Sequence, residues 1–188
     1  MSASRCLLIV VLVVSLAPRS PAQGIASGPE KGKAVPALKV YDATGAHKEK
    51  EVDYAAERKD KPTVYLLVRA DKFDRPMNRF MKTLDDALVK DFKDVYVVAV
   101  WLTEDVDKTK EFLPRVQQSV GYQQTALTCF TGDAKDGPKD WNVNGDAHIT
   151  AVLANKQKVA ATFGYNTVNE TDVKKVVEAL KKAVEEKK

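Results

Sequence analysis

Three stretches of the chain are apolar at nearly every position, and these stretches predict buried β-strands. They lie at residues 63–68, 95–102 and 125–130. A strand that is apolar throughout is typical of a sheet covered on both faces. Two further runs, residues 149–154 and 159–163, flank a polar segment at 155–158, which indicates a β-hairpin. A short strand is predicted near residues 38–41, ahead of a possible short helix in the polar segment 49–61.

Three other stretches have helical spacing. Between the first two buried strands, apolar residues recur every three or four positions after Arg75 and Pro76, so a helix is expected to open there. The last helix is expected to begin after Asn169, a residue type that caps helices. Residues 105–121 also fit a helix, although Pro114 is expected to kink or break it.

The order of these elements predicts the fold class. A strand, a β-α-β unit, a further α-β step, a hairpin and a final helix require parallel strands joined by right-handed crossovers. The hairpin then adds antiparallel strands to the same sheet. We therefore expect an α/β protein: a three-layer α/β/α sandwich with a mixed central sheet, formed by one domain at residues 35–188.

An apolar run of about a dozen residues, Cys6–Ala17, lies near the start of the chain. A basic residue, Arg5, precedes it and small residues follow as far as Ala22, which is typical of a secretory signal peptide. The run is shorter than the roughly 20 residues that a membrane span needs. We predict a signal peptide at residues 1–22 and export, periplasmic or secreted, with no membrane span in the mature chain. Retention as an anchor is the alternative.

Residues 23–34 are rich in glycine, serine, proline and charge, and are expected to form a flexible lead-in. The 188 residues include 30 Lys and Arg against 26 Asp and Glu, a formal charge of +4. Loss of Arg5 and Arg19 with the signal peptide leaves +2. A nearly neutral, mixed surface offers no electrostatic footprint for nucleic acid, which we exclude as a partner.

Cysteine usage bears most directly on function. The chain has two cysteines, Cys6 and Cys129. Because Cys6 lies in the predicted signal peptide, the mature chain would keep Cys129 alone and could form no internal disulfide. By strand alternation Cys129 shares a face with Leu127, which predicts a buried thiol of raised pKa. A reactive role for Cys129, or an intermolecular disulfide, is the alternative.

Several short segments, taken in order, resemble the redoxins, a family of thioredoxin-like proteins that includes thiol peroxidases. Gly32–Leu38 followed by Asp42–Gly45 resembles the opening of a redoxin, and Lys61–Leu67 resembles its first central strand. Ala151–Val159 resembles the family's hairpin, and Gly164 the small residue after it. The resemblance covers most of the mature chain and implies a thioredoxin-like fold.

The resemblance also implies where thiol chemistry would lie. In redoxins the reactive cysteine stands at the N-terminus of the helix after the first central strand, where free N–H groups and the helix dipole lower the thiol pKa. The matching residues here are Lys72, Phe73, Asp74 and Arg75, and none is a cysteine. The family's cis-proline is also missing from residues 146–150, where we expect a trans bond.

The residues at this helix entrance, with His148 facing them, form our candidate ligand or partner surface. Asp74 is expected to cap the helix, and an anion site between Lys72 and Arg75 is the alternative. A lone histidine is weak as a metal ligand, so His148 is expected to be idle or bonded to backbone. We predict no catalytic residue, no metal and no cofactor.

Two further features allow alternative interpretations. An acidic cluster at Glu104, Asp105 and Asp107 fits the first turn of a helix, and a metal site is the alternative. Trp141 lies in a long polar connection, where it either anchors that loop to the core or presents an aromatic contact surface.

The sequence supports three functions. The first is an exported, non-catalytic binding protein whose partner is a protein or a small anion. The second is a redoxin-like thiol oxidoreductase or peroxidase that uses Cys129 or a partner's cysteine. The third is a structural or envelope-associated domain without a defined ligand.

Overall fold

Residues 24–185 are described by a computed structural model. The predicted signal peptide, residues 1–22, lies outside the described residues. The strands are β1 Lys39–Asp42, β2 Lys50–Asp53, β3 Thr63–Arg69, β4 Tyr96–Leu102, β5 Thr125–Cys129, β6 Ile149–Asn155 and β7 Lys158–Tyr165. The α-helices are α1 Tyr54–Glu57, α2 Arg75–Asp91, α3 Val106–Val120 and α4 Val173–Glu185. Short 3-10 turns at Ala70–Lys72 and Glu170–Asp172 precede α2 and α4.

All seven strands form one mixed sheet in the order β2-β1-β5-β4-β3-β6-β7. β3, β4 and β5 run parallel, and the remaining pairs are antiparallel. The α/β fold with a mixed central sheet is therefore confirmed. Strand β2 was not predicted because Val52 is its single apolar residue, and its pairing with β1 relies on backbone groups.

The sheet has helices on both faces, but they cover the two faces unequally. Apolar residues of α2, α3 and α4 share one core cluster with Val64, Leu66 and Val68 of β3. Tyr65 and Leu67 point to the other face, where the four-residue α1 and irregular segments cover them. The two crossovers advance in the same direction across the sheet, so right-handedness places α2 and α3 on the same side.

Trp141 anchors the long connection between β5 and β6 to the thinly covered face. Its side chain is fully buried, its Nε1 donates to the Ala37 carbonyl at 3.0 Å, and its ring lies edge-on to Tyr65 at 5.2 Å between centroids. Its neighbours Asp140 and Asn142 have φ of 66° and 48°. Asp and Asn tolerate this left-handed region better than most residues, so the loop can turn the indole inward.

Two buried carboxylates tie loops to the sheet. Asp42 accepts hydrogen bonds from the backbone N–H groups of Thr44, Gly45 and His47 and from the Tyr54 hydroxyl, at 2.6–3.1 Å. Asp85 of α2 accepts from two backbone N–H groups and from the Thr125 hydroxyl, at 2.7–2.9 Å. Each buried charge is therefore fully hydrogen-bonded, as burial requires.

Helix α3 differs from its prediction because it continues unbroken through Pro114. The ring removes one backbone N–H, yet Leu113 and Val116 beside it are buried and hold the helix on the sheet. Gly121 ends α3 in the left-handed conformation, with φ of 67°. Asn169 caps the turn before α4 as predicted, in a reciprocal capping box with Asp172.

Residues 24–34 differ from the flexible lead-in that their composition indicated. The Ile25 N–H donates to the Gly164 carbonyl at 3.0 Å, and the Ser27 hydroxyl contacts the Thr150 hydroxyl at 2.6 Å. Further along, Val159 exchanges hydrogen bonds with Gly32 and Lys33. The segment therefore lies along the outer edge of β7. Glycine and proline content indicates irregular backbone, but it does not show whether that backbone finds partners.

We predict that Gly164→Ala detaches this segment. A Cβ at residue 164 would clash with the Ile25 carbonyl oxygen and would lie 2.8 Å from the Ser27 side chain. Overpacking of this kind costs about 1–3 kcal/mol, measurable as a lower free energy of unfolding in urea. Limited proteolysis should also cut within residues 24–34 faster than in the wild type.

Gly145→Ala is the matched control, because a Cβ there meets no atom within 4 Å. Equal stability and equal proteolysis in the two variants would show that the segment does not depend on its contact with Gly164.

Candidate functional site

Helix α2 begins where β3 ends, at the position that bears the reactive thiol in the redoxins that this chain resembles. Asp74 is the N-cap, and its Oδ1 accepts a hydrogen bond from the Met77 N–H at 2.9 Å. Pro76 has no N–H to offer. A carboxylate of the chain itself thus occupies the positive end of the helix, as the capping interpretation predicts.

A cleft of about 990 Å³ lies beside this helix entrance. We call it the strand-end cleft, because the carboxyl ends of β3 and β4 form its base. The turn Ala70–Lys72 and Phe73 form one wall, and the first turns of α3 form another. Parts of the β5–β6 connection, including Ala134, Lys135 and Asp146, close a third side. Ligands of open α/β sheets commonly bind outside the carboxyl ends of the strands.

Aromatic side chains line the base and the rim of this cleft. Phe73 packs edge-on against the buried Trp101, with 5.4 Å between ring centroids. Phe112 of α3 also lines the cleft, and 43% of its surface is exposed. An exposed phenylalanine beside an aromatic base forms an apolar patch within a polar rim.

The rim carries charges of both signs. Lys72 is paired with Asp71 at 3.1 Å, and Asp105 caps α3 by accepting from the Lys108 N–H at 3.0 Å. Lys135 and Glu104 also line the cleft. No single sign dominates, so the rim has little electrostatic preference for an anion over a cation.

Arg69, the last residue of β3, holds one wall of the cleft in place. Its guanidinium donates to the carbonyls of Ala134 and Lys135 at 2.8 and 2.9 Å. The Nε of Arg69 is buried and has no hydrogen-bond partner among the described residues. The β5–β6 connection is therefore fixed to the end of β3 by a charged side chain.

A second, smaller pocket of about 460 Å³ lies on the other side of the helix entrance. It is lined by Asp74, Pro76, His148 and the segment after β7, and also by Arg79 and Glu170, which form an ion pair at 3.3 Å. The structure thus divides the predicted surface. Lys72 and Phe73 line the strand-end cleft, Asp74 and His148 line the smaller pocket, and Arg75 lines neither.

The backbone at His148 continues the sheet. Its N–H donates to the Tyr165 carbonyl at 2.8 Å, and its carbonyl accepts from the Arg69 N–H at 2.9 Å. Every peptide bond within residues 24–185 is trans, including those of residues 146–150. Within the same part of the chain, no three His, Cys, Asp or Glu side chains converge as a metal site. No helix there is both long enough and apolar enough to span a membrane.

Cys129 lies at the end of β5, inside the core. Its side chain has no exposed surface, and its Sγ lies 3.6 Å from the Phe130 carbonyl oxygen. Burial raises the pKa of the Cys129 thiol to about 11. Nearby Lys110, whose ammonium lies 4.6 Å from the centre of the Tyr41 ring, offsets only part of that effect. The thiol is therefore protonated at neutral pH and out of contact with solvent.

Arg69 and Phe112 were missed by the sequence interpretation. Arg69 is the single charged residue of an otherwise uncharged strand, which is a signal that could have been noticed. Phe112 stands among the charged residues of α3, a large apolar side chain off the buried stripe. Nothing in the sequence shows that parts of the distant residues 134–146 line the same cleft as both.

Comparisons of sequence give no match to any protein-family model and no match among curated proteins. Comparison of structure finds clear similarity. A thiol peroxidase from Chromobacterium violaceum matches with a TM-score of 0.58 at 13% identity, over 90% of this chain and 95% of that one. The peroxidoxin BcpB from Mycobacterium tuberculosis matches with a TM-score of 0.58 at 13% identity, over 81% and 97%.

A peroxiredoxin-like protein from Aquifex aeolicus matches with a TM-score of 0.54 at 16% identity, over 85% of this chain and 92% of that one. At these identities the likeness concerns the fold alone. The chain therefore has the thioredoxin-like fold of the redoxins.

Proposed function

We propose that this chain is an exported binding protein that keeps the redoxin fold without thiol chemistry, and that its ligand site is the strand-end cleft. The observation that carries the proposal is the Asp74 carboxylate at the N-terminus of α2, bonded to the Met77 N–H at 2.9 Å. A thiolate would need that same positive site, and a second anion beside Asp74 would be repelled.

The state of Cys129 supports the same proposal. Thiol exchange and peroxide reduction both need an accessible thiolate, and the thiol here is fully buried with a pKa of about 11. Cys129 lines neither the strand-end cleft nor the smaller pocket. A substrate that filled either cavity would lie against other side chains.

The strand-end cleft is the better ligand site of the two cavities. It is about twice as large, its base is aromatic, and an exposed phenylalanine stands at its rim. Pockets that bind organic ligands are mostly apolar with a few placed polar groups, and they commonly enclose about 300–1,000 Å³. In the smaller pocket the charges of Arg79 and Glu170 are already paired with each other.

Assays of thiol chemistry test the proposal directly. The protein beginning at residue 23 should reduce neither insulin disulfides nor hydrogen peroxide above the buffer rate, with dithiothreitol as reductant in both assays. Cys129→Ser should be equally inactive. Activity that the wild type has and Cys129→Ser lacks would overturn the proposal and establish the thiol oxidoreductase instead.

The buried thiol also predicts a pH dependence of stability. In the unfolded chain the thiol loses its proton near pH 9, whereas in the folded protein it keeps it until about pH 11. The unfolded state therefore binds fewer protons between these values, and folding loses stability as pH rises through them. Two units of pKa correspond to about 2.7 kcal/mol in full, of which about 2 kcal/mol is lost by pH 11, where the folded thiol is half ionised.

The measurement is the free energy of urea unfolding of wild type and Cys129→Ala at pH 8 and pH 11. Tyrosines of the unfolded chain also lose protons at about pH 10, equally in both proteins, so the difference between the two proteins isolates the thiol. The wild type should lose about 2 kcal/mol more than Cys129→Ala. Equal losses would mean that the thiol is not held protonated by burial.

Export is tested by expressing the full chain in a Gram-negative host. The product should appear in the periplasm or medium, and N-terminal sequencing should begin at or near Gln23. A chain that stays intact in the membrane fraction would mean that residues 1–22 act as an anchor. Deletion of residues 2–22 is the control and should leave the protein in the cytoplasm.

A further inference from the structure

We propose that the occupant of the strand-end cleft is an extended polypeptide segment of a partner protein, which inserts one aromatic or long aliphatic side chain and carries charges of both signs beside it. This inference rests on the proposed binding function and specifies its ligand. It is carried by the aromatic base, by the exposed Phe112 and by the mixed charges of the rim.

Phe112 is a large apolar side chain that remains exposed in the lining of the cleft. With Val89, it is one of the two large apolar side chains in residues 24–185 that expose more than a third of their surface. Val89 lies on α2 and does not line the cleft, whereas Phe112 lines the same cleft as Phe73 and Trp101. Aromatic residues and arginine dominate the centres of protein–protein interfaces, and here Arg69 lines the same cavity.

The charges exclude a free anion as the preferred occupant. Lys72 is neutralised by Asp71 at 3.1 Å, and the donors of Arg69 that point to the β5–β6 connection are taken by carbonyls. Asp105, Asp146 and Glu104 lie in the same rim as Lys108 and Lys135. A simple carboxylate or phosphate would therefore meet nearly as much repulsion as attraction.

The same rim is complementary to a polypeptide. A peptide can place an acidic residue near Lys108 or Lys135 and a basic residue near Glu104 or Asp146, on either side of a central apolar side chain. A small apolar molecule could use the aromatic base, but it would make no contact with these charges. Charges of both signs at a rim mainly determine which partner binds and how it is aligned in the site. A peptide site requires both.

The walls of the cleft are held before any ligand arrives. Arg69 fixes residues 134 and 135, while the Asn144 N–H donates to the Ser27 hydroxyl at 3.0 Å and braces the loop that continues to Gly145 and Asp146. Binding to a prepared site costs less entropy than binding that must order a loop. A short peptide segment can therefore bind without a large interface around it.

A random heptapeptide library displayed on phage is the probe that tests this inference. Selection on the wild-type protein should enrich sequences with one Trp, Phe, Tyr, Leu or Met flanked by residues of opposite charge. The synthetic consensus peptide should bind Phe112→Ala at least tenfold more weakly than wild type. It should bind Val89→Ala, the other exposed apolar position, as tightly as wild type.

A charge reversal sharpens the test. Selection on Lys135→Glu should enrich peptides with a basic residue in place of an acidic one, while the apolar residue stays. Binding that is equal in wild type and Phe112→Ala, or a consensus without an apolar residue, would overturn the inference.

The neutral fluorophore N-phenyl-1-naphthylamine separates this inference from the function on which it rests. If the fluorophore binds wild type and not Phe112→Ala while the library yields no consensus, the cleft binds ligands but not peptides, and only the inference fails. If neither the fluorophore nor any peptide binds, the proposed binding function fails with it.

Discussion

The register of three parallel strands determines where the strand-end cleft lies. Backbone pairing sets Arg69 beside Leu102 and Trp101 beside Cys129, so β3, β4 and β5 end at the same level. The chain must therefore leave the sheet three times at the same end of these strands. The turn before α2, the start of α3 and the β5–β6 connection meet there, and the space between them is the strand-end cleft. Side chains far apart in sequence are thereby brought to one site.

The two faces of the sheet contribute differently to that site. On one face, three long helices bury a continuous core. On the other, the β5–β6 connection lies where it is held by Trp141 and Arg69 rather than by a helix. A loop fixed at a few points can retain a cavity beside it, whereas a packed helix would fill that space with side chains. The irregular connection is thus what preserves the cleft.

Much of the fold could be predicted because hydrophobic periodicity is a local signal. The buried strands at β3 and β4, the apolar face of α2 and the cap at Asp74 all follow from residues within one element or one turn. The misses have a common cause. Strand β2 is held by backbone pairing, α3 passes Pro114 because its neighbours are buried, and residues 24–34 find partners more than 100 positions away. Contacts with distant parts of the chain leave no hydrophobic pattern in the sequence of the segment that makes them.

The candidate site, too, could be predicted only where neighbouring residues in the sequence determine it. The helix entrance could be located, since it needs only the end of one strand and the start of the next helix. The surface around this entrance is divided into two cavities, and that division depends on where the β4–α3 and β5–β6 segments lie. No local sequence pattern indicates their positions. Phe112 and Arg69 were missed for this reason, although each is chemically unusual for its element.

The segment along β7 has a consequence for how the protein behaves toward its own copies. A sheet has two edges, and an edge strand with free backbone groups can recruit another strand. At β2 the edge is short and carries Lys50, Glu51 and Asp53, whose charges discourage pairing. At β7 the protection is a detachable piece of the same chain, bonded at Gly164 and Val159. Proteolytic removal of residues 24–34 would therefore expose the backbone groups of β7 as a free sheet edge, open to pairing with another copy, without altering the core.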